Sequence, residues 1–436
     1  MTLRTSRRRF LVAASAAVSG IGFYSQLPAA ESKSPNEKLN LAGIGVANRA
    51  SANLSGCSNE NFVALADIDS NFLEQGVKRF PGAKGYADYR VMLEKEADNI
   101  DAVVVSTADH SHAPATAMAL RMKKHAYCEK PLSHTVYESR VVSNLAKENK
   151  LVTQMGTQIH ATENYRRVVE LLNSGIIGDV TRVHVWVGKG WGDGKFAFGQ
   201  EPPKNLNWDL FLGCAPERPY STGVHPANWR RFWDYGTGTF GDMACHYVDL
   251  VHWALDLKHP EKVSAVGPPV DPVGCPSWCV ADYHYPARGE KPPVHLTWYD
   301  GAKRPAELAK LKDKSGNPIN WGGGQLFVGD KGMVLSDYGQ HYVYQDGEMV
   351  DFKAPEKTIP ASIGHHNEWL QAIRTGGPTT CNFDYSGALS EAVLLGTVAY
   401  RSGDVIDWDA ENLKVTNNNS LAHNLIHKEY RKGWTL

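Results

Sequence analysis

Residues 103–133, VVVSTADHSHAPATAMALRMKKHAYCEKPLS, constrain the fold of this chain more than any other stretch. The opening apolar run reads as a strand buried on both faces, and Ser106-Thr107 breaks it where a helix begins. Residues 113–122 carry apolar side chains three and four apart, as a helix does, and 125–128 return as a short strand ending in Glu129-Lys130-Pro131. Strand, helix and parallel strand in succession call for a sheet covered on both faces. In a doubly wound sheet, ligands sit beyond the carboxyl ends of the strands. That rule gathers Thr107, His110, His112, Glu129 and Lys130 at one crevice, with the lysine placed for proton chemistry.

The same alternation begins earlier. After a polar linker at 31–38, residues 39–45 run as a strand into a glycine turn, where Gly43 and Gly45 match the first two glycines of a dinucleotide fingerprint. The third glycine is replaced by Asn48, with Arg49 beside it, and both are candidates for polar contacts to the phosphates. A second strand, 62–66, ends at Asp67, about twenty residues beyond the glycines, the distance at which a carboxylate meets the ribose hydroxyls. That carboxylate repels a 2′-phosphate and no Arg or Lys follows closely, so the expected cofactor is NAD, with NADP disfavoured. Residues 39–160 form the expected Rossmann domain.

Residues 161–436 form the second domain. A helix at 164–174 leads to a half-buried strand at 181–188, and the Gly-, Pro- and aromatic-rich segment 190–220 is expected to lie over the site. Trp208 and Trp229 are candidate faces for stacking a sugar ring, with core packing expected of at least one, and Arg230 adds a charge. In the helix that follows, Asp242, His246, Asp249 and Trp253 fall on one stripe. Paired acid and imidazole on a largely apolar helix are costly unless used. A histidine there can take a hydroxyl proton near neutral pH while an adjacent carboxylate holds its tautomer. Seven further strands between 263 and 352, and helices at 365–374 and 388–402, complete a mainly antiparallel sheet domain. The aromatic tail around Trp434 is expected to dock.

Glu129-Lys130-Pro131, with Thr107-Ala108-Asp109-His110-Ser111-His112 one strand earlier, resembles the glucose-fructose oxidoreductase and inositol dehydrogenase family, Gfo/Idh/MocA. The resemblance spans about residues 39–403, and its most specific parts are Glu-Lys-Pro and Gly-Asp-x-x-x-His. It implies an α/β protein in which a Rossmann domain precedes an α/β domain with a large, open, mainly antiparallel sheet. It also implies that Lys130 reaches the hydroxyl being oxidised, that Asp242 and His246 flank the substrate carbon, and that the open sheets pair into a homo-oligomer.

Lys plus Arg number 46 and Asp plus Glu 47, so charge gives no reason to expect nucleic acid, and a small-molecule carbohydrate is the expected partner. Residues 1–30 read as an address: Ser6-Arg7-Arg8-Arg9-Phe10-Leu11, an apolar stretch, then Leu27-Pro28-Ala29-Ala30 resemble a twin-arginine export signal cleaved after Ala30. The mature protein is then expected to be periplasmic or otherwise exported, with no stable membrane anchor. The seven cysteines lack paired metal-binding spacing, so a structural zinc site is not expected; Lys130, Asp242 and His246 resemble a metal-free acid/base set, with zinc there disfavoured. Cys275 and Cys279 are near enough in sequence to bridge or to stay as two buried thiols.

These features predict an exported NAD-dependent oxidoreductase acting on a carbohydrate or polyol hydroxyl, or the matching ketone. A redox-neutral glycosidase, lyase or epimerase using transient sugar oxidation is the second reading, and a non-enzymatic NAD-binding sensor the third. Because an exported enzyme has no NAD supply around it, the cofactor is expected to travel already bound.

Overall fold

The computed structural model describes residues 38–436; the arginine-rich address and the linker up to residue 37 lie outside the described residues. In the first domain β1 (Asn40–Ile44), α1 (Arg49–Gly56), β2 (Asn61–Ala66), α2 (Ser70–Arg79), β3 (Lys84–Tyr86), α3 (Tyr89–Lys95), β4 (Ala102–Val105), α4 (Asp109–Arg121), β5 (His125–Cys128), α5 (Val136–Glu148) and β6 (Thr153–Met155) alternate. The strands pair in the order β3-β2-β1-β4-β5-β6, all parallel. All four residues of β4 are buried, because helices cover both faces of its sheet. The strand order reverses direction between β1 and β4, and the crevice opens at their carboxyl ends. Two helix starts are fixed by side chains. Asp69 accepts from the backbone N–H groups of Asn71 and Phe72, and Thr135 with Glu138 forms a reciprocal capping box at α5.

The second domain holds α6 (Glu163–Asn173), β7 (Val180–Val187), α7 (Trp208–Leu212), α8 (Cys245–Leu255), β8 (Lys262–Val266), β9 (Val280–Tyr285), β10 (Val294–Tyr299), β11 (Gly323–Gly329), β12 (Gly332–Ser336), β13 (His341–Gln345) and β14 (Glu348–Val350). It ends with α9 (His365–Thr375), α10 (Phe383–Ser402), β15 (Ile406–Asp409), β16 (Lys414–Val415) and α11 (Ser420–Leu425). Its ten strands order as β14-β13-β12-β11-β7-β10-β9-β8-β15-β16. Only β7 and β10 pair parallel, so the sheet is mainly antiparallel, as the strand pattern predicts. Helix α10 begins several residues before the expected start at 388, because Asn382 caps it by accepting from Asp384 and Tyr385 N–H. That helix is buried along most of its length and packs on α5, which ties the two domains into one core. Strands β3, β15 and β16 escape the sequence pattern, being too short for an alternation to register. Among the described residues no helix is long and apolar enough to cross a membrane.

Candidate active site

The crevice is lined by Gly45, Asn48, Arg49, Asp67, Thr107 and His110 from the Rossmann domain, and by Leu210, Phe211, Trp229 and Arg230 from the second. Gly45 has φ +86°, and a Cβ there would stand 2.5 Å from the carbonyl oxygen of Ser106, so the turn between β1 and α1 closes against β4 only with glycine. Asn48 takes φ +53°, the left-handed backbone that a glycine adopts freely, and opens α1 without a side-chain cap. Arg49 is turned partly inward, its Nε donating to Glu129 at 3.2 Å. The Asp67 carboxylate accepts from the N–H groups of Val46 and Asp69, each at 3.0 Å. Burial pushes this carboxyl up to about 6 in spite of those bonds. The expected lid is present in part: Asn205 donates to Asp69 at 2.9 Å, and Asn207 N–H to Ile68 O at 2.9 Å, which brings α7 across the crevice beside Asp67.

The other group of side chains meets where Glu129-Lys130-Pro131 leaves β5. Lys130 Nζ donates to the carbonyl of Asp242 at 2.7 Å and to its carboxylate at 2.8 Å. Gly241 stands next to this contact. A Cβ at that position would clash first with the Thr237 hydroxyl and also come within 2.9 Å of the Pro131 ring, so glycine lets the segment bearing Asp242 pack on itself and against the turn that carries the lysine. Residues Phe240–Ala244 form a single π turn before α8, a widening that re-aims Asp242 relative to a regular α stripe. Asp242 is also bound by Lys189 Nζ at 2.7 Å and by the Trp191 indole N–H at 2.6 Å, with Arg230 Nε at 3.4 Å. Burial opposes its ionisation, but the charges of Lys130 and Arg230 and the hydrogen bonds from Lys130 and Lys189 hold the carboxyl well below the ordinary range.

His246 is not among the partners of that carboxylate. Its Nδ1 is buried without a hydrogen bond among the described residues, so no adjacent carboxylate fixes its tautomer. Burial first, and then the charge of Lys130, lowers its pKa to about 3, and the ring is neutral across ordinary pH rather than titrating near 7. The stripe read from sequence therefore divides. Asp249 binds His160 Nδ1 at 2.9 Å and the Tyr385 hydroxyl at 2.8 Å, while the His160 ring stacks on Trp253 at 4.0 Å.

Three expected ligands sit elsewhere. Trp208 is 9% exposed, stacks on Phe211 at 4.8 Å and donates to Arg218 O, so it packs α7 rather than facing a sugar. His112 places its ring nitrogens 2.7 Å from Pro131 O and 3.1 Å from Thr107 O, bracing two turns of the crevice from behind. Glu129 accepts from Arg49, Asn53 and Gln158 and, like Lys130, Asp242 and His246, is not among the residues that line the crevice itself. His110 does line the crevice, yet its nitrogens face Tyr235 O at 3.2 Å and Phe211 O at 2.8 Å. Trp229 also lines it, with the Arg230 guanidinium 4.1 Å above its ring. Lys189 precedes the segment expected over the site and Trp191 lies within it, and neither carries a motif of its own. Their signal is position: they stand two and four residues past the end of β7.

Residues 38–157 match the oxidoreductase-family NAD-binding Rossmann fold, and residues 162–291 the C-terminal α/β domain of the same family. Inositol 2-dehydrogenase of Salmonella typhimurium is 28% identical over 153 residues, which cover 34% of this chain and 44% of that protein. Oxidoreductase P35 of Formosa agariphila is 23% identical over 318 residues, 71% of this chain and 85% of that protein. The chain spans less than half the length of the first curated relatives it matches. In fold it is similar to the WlbA dehydrogenase of Bordetella pertussis, solved with NADH and UDP-GlcNAcA, at TM-score 0.59 and 17% identity over 86% of this chain and 99% of that one. With both of its domains matched in sequence and the same architecture observed, the chain belongs to the Gfo/Idh/MocA oxidoreductase family.

Proposed function

We propose that this protein is an exported NAD-dependent oxidoreductase acting on a carbohydrate or polyol hydroxyl, or the matching ketone, and that it keeps its cofactor bound between turnovers. The observation that carries the chemistry is the buried Lys130–Asp242 contact at 2.8 Å beside a neutral imidazole. The crevice fits a dinucleotide, since only a residue without Cβ leaves room at Gly45 and since Asp67 offers a carboxylate to ribose hydroxyls. Ile68 and Phe72 bring no cation to that end, which favours NAD over NADP. When bound, the nicotinamide would accept the hydride from the carbinol carbon. Lys130 spends two of its three N–H bonds on Asp242 and has one left for the reacting oxygen, whose negative charge it stabilises. His246, neutral at ordinary pH, takes the hydroxyl proton once substrate binding brings the oxygen against its ring.

Two observations support retention. Residues 6–11 and 27–30 resemble an export signal, and Trp434 packs against Tyr89, itself a lining residue of the crevice. Export also favours the second reading, a redox-neutral reaction in which a sugar is oxidised and reduced within one cycle. The open ten-stranded sheet supports pairing into a homo-oligomer.

The test is to purify the protein without added nucleotide, denature it and measure NAD(H) released per chain, for wild type and Lys130→Met. Close to one nucleotide per chain in both, with turnover lost only in the variant, is expected. Near-zero content with activity that needs added NAD would leave an ordinary dehydrogenase, and full turnover in the variant would remove Lys130 from the chemistry.

A further inference from the structure

Asp242 carries one negative charge and faces three positive ones. Lys130 and Lys189 bind its two oxygens at 2.8 and 2.7 Å, and Arg230 stands 3.4 Å away. The nearby acid Glu129 also feels Lys130, but its charge is offset by its own cation Arg49, which donates with Asn53 and Gln158 to Oε1. Against these three cations stand Asp242 and the buried Asp109, whose carboxyl feels the charges of Arg230 and Lys130, so the cluster keeps a positive balance, with Lys130 and Asp242 buried at its floor and the Lys189 and Arg230 side chains, 45% and 22% exposed, at its open side. Solvent screens Lys189 and Arg230 in part, yet like charges sharing one carboxylate still repel, and a bound anion relieves that repulsion.

The cations also have capacity left. Among the described residues, Arg230 makes no hydrogen bond through its two terminal nitrogens, and Lys189 meets only Asp242, the Met243 sulfur at 3.8 Å and the face of Trp191. Arg230 is held above the Trp229 ring at 4.1 Å, which orients its planar group and leaves a fork of donors. A fork of that kind matches the two oxygens of a carboxylate.

Resting on the sugar oxidoreductase reading above, we propose that the substrate is an acidic sugar whose carboxylate is bound between Lys189 and Arg230 while Lys130 meets the reacting hydroxyl. A hexuronic acid or its glycoside is the simplest member of that class. A sugar phosphate offers a related anion but a tetrahedral one with higher charge, and the test separates the two.

Thermal unfolding of the nucleotide-bound protein is followed with methyl glycosides matched except at C6: the uronic acid, the neutral sugar and the 6-phosphate. The uronide is expected to raise the midpoint at concentrations at least about tenfold below those needed for the neutral sugar. In Lys189→Met, and separately in Arg230→Gln, the ratio of the two apparent affinities collapses toward one while bound nucleotide remains at the wild-type level. Equal binding of acidic and neutral sugars, no binding of the uronide, tighter binding of the 6-phosphate, or a preference that survives both substitutions overturns the proposal. So does loss of nucleotide in Arg230→Gln with the preference intact, which would assign that charge to the dinucleotide. Nicotinamide absorbance is read in parallel. A uronide that binds through Lys189 but never reduces the nucleotide would leave the anion site standing and refute the dehydrogenase reading.

Discussion

Lys130 Nζ holds both the backbone carbonyl and the carboxylate of Asp242, at 2.7 and 2.8 Å, and so clamps two segments 112 positions apart in sequence, the turn after β5 and the π turn before α8. Removing the carboxylate leaves three cations without their shared partner. Asp242→Ala is expected to lower unfolding free energy by about 3–5 kcal/mol, the range for stranding a buried charge. Asp242→Asn, which keeps one acceptor, should cost less. Urea unfolding of the three proteins measures this, and an unchanged midpoint in Asp242→Ala would show that the cations are solvated well enough without it.

The pH profile follows from His246. Its pKa is lowered to about 3, so the neutral base persists as pH falls past the ordinary histidine value of about 6.5. No acid limb in kcat/KM should arise from this residue until pH approaches 3. His246→Ala should lower kcat by about 10²–10⁴ at every pH above that. An acid limb near 6.5 that disappears in the variant would mean that substrate or water reaches the ring and raises its pKa.

Asp67 gives the opposite dependence. Its carboxyl is raised to about 6, chiefly by burial, and hydrogen bonds from ribose hydroxyls favour the ionised form. Nucleotide affinity should therefore be full above pH 6 and weaken as pH falls through that value. Asp67→Ala is expected to bind NAD more weakly, with no such dependence and with a narrower preference over NADP. Calorimetric titration across this range checks the sign.

The C-terminal tail supplies a fourth expectation. Arg90 lies 3.8 Å over the Trp434 ring, Trp434 meets Tyr89, and Lys428 and Tyr430 both bind Glu138 of the α5 cap, at 2.8 and 2.5 Å. Trp434→Ala should release bound nucleotide several-fold faster, because most changes in affinity appear in the off-rate. Chase with labelled NAD measures it, and an unaltered rate would place the tail outside the barrier to release.

Buried parallel strands, a glycine turn and Glu-Lys-Pro were legible because each is local: a run of apolar residues, a backbone without Cβ, a strand followed at once by its functional side chain. The departures all depend on partners distant in the chain. His160 reaches Asp249 across 89 positions, and nothing in the helical period of 242, 246, 249 and 253 announces that one acid is already taken. Trp208 looks like a sugar face until Phe211 and Tyr220 close around it. Lys189 and Trp191 come from a loop without periodicity, and only the paired register of β7 with β10 and β11 sets where that loop departs.

All seven cysteines are free and buried, and burial pushes the Cys57 and Cys245 thiols up to about 12, with the Cys275 and Cys279 thiols also well above the ordinary range. The thiolate is the reactive form, so the folded protein offers almost no nucleophile to an alkylating or oxidising reagent. Each sulfur becomes reactive only when the packing around it opens. Because Cys57 lies in the apolar cluster under α1, Cys214 against His110 O, and Cys279 just ahead of β9, their separate labelling rates amount to clocks set at different depths, reporting whether the dinucleotide domain, the crevice wall or the large sheet loosens first.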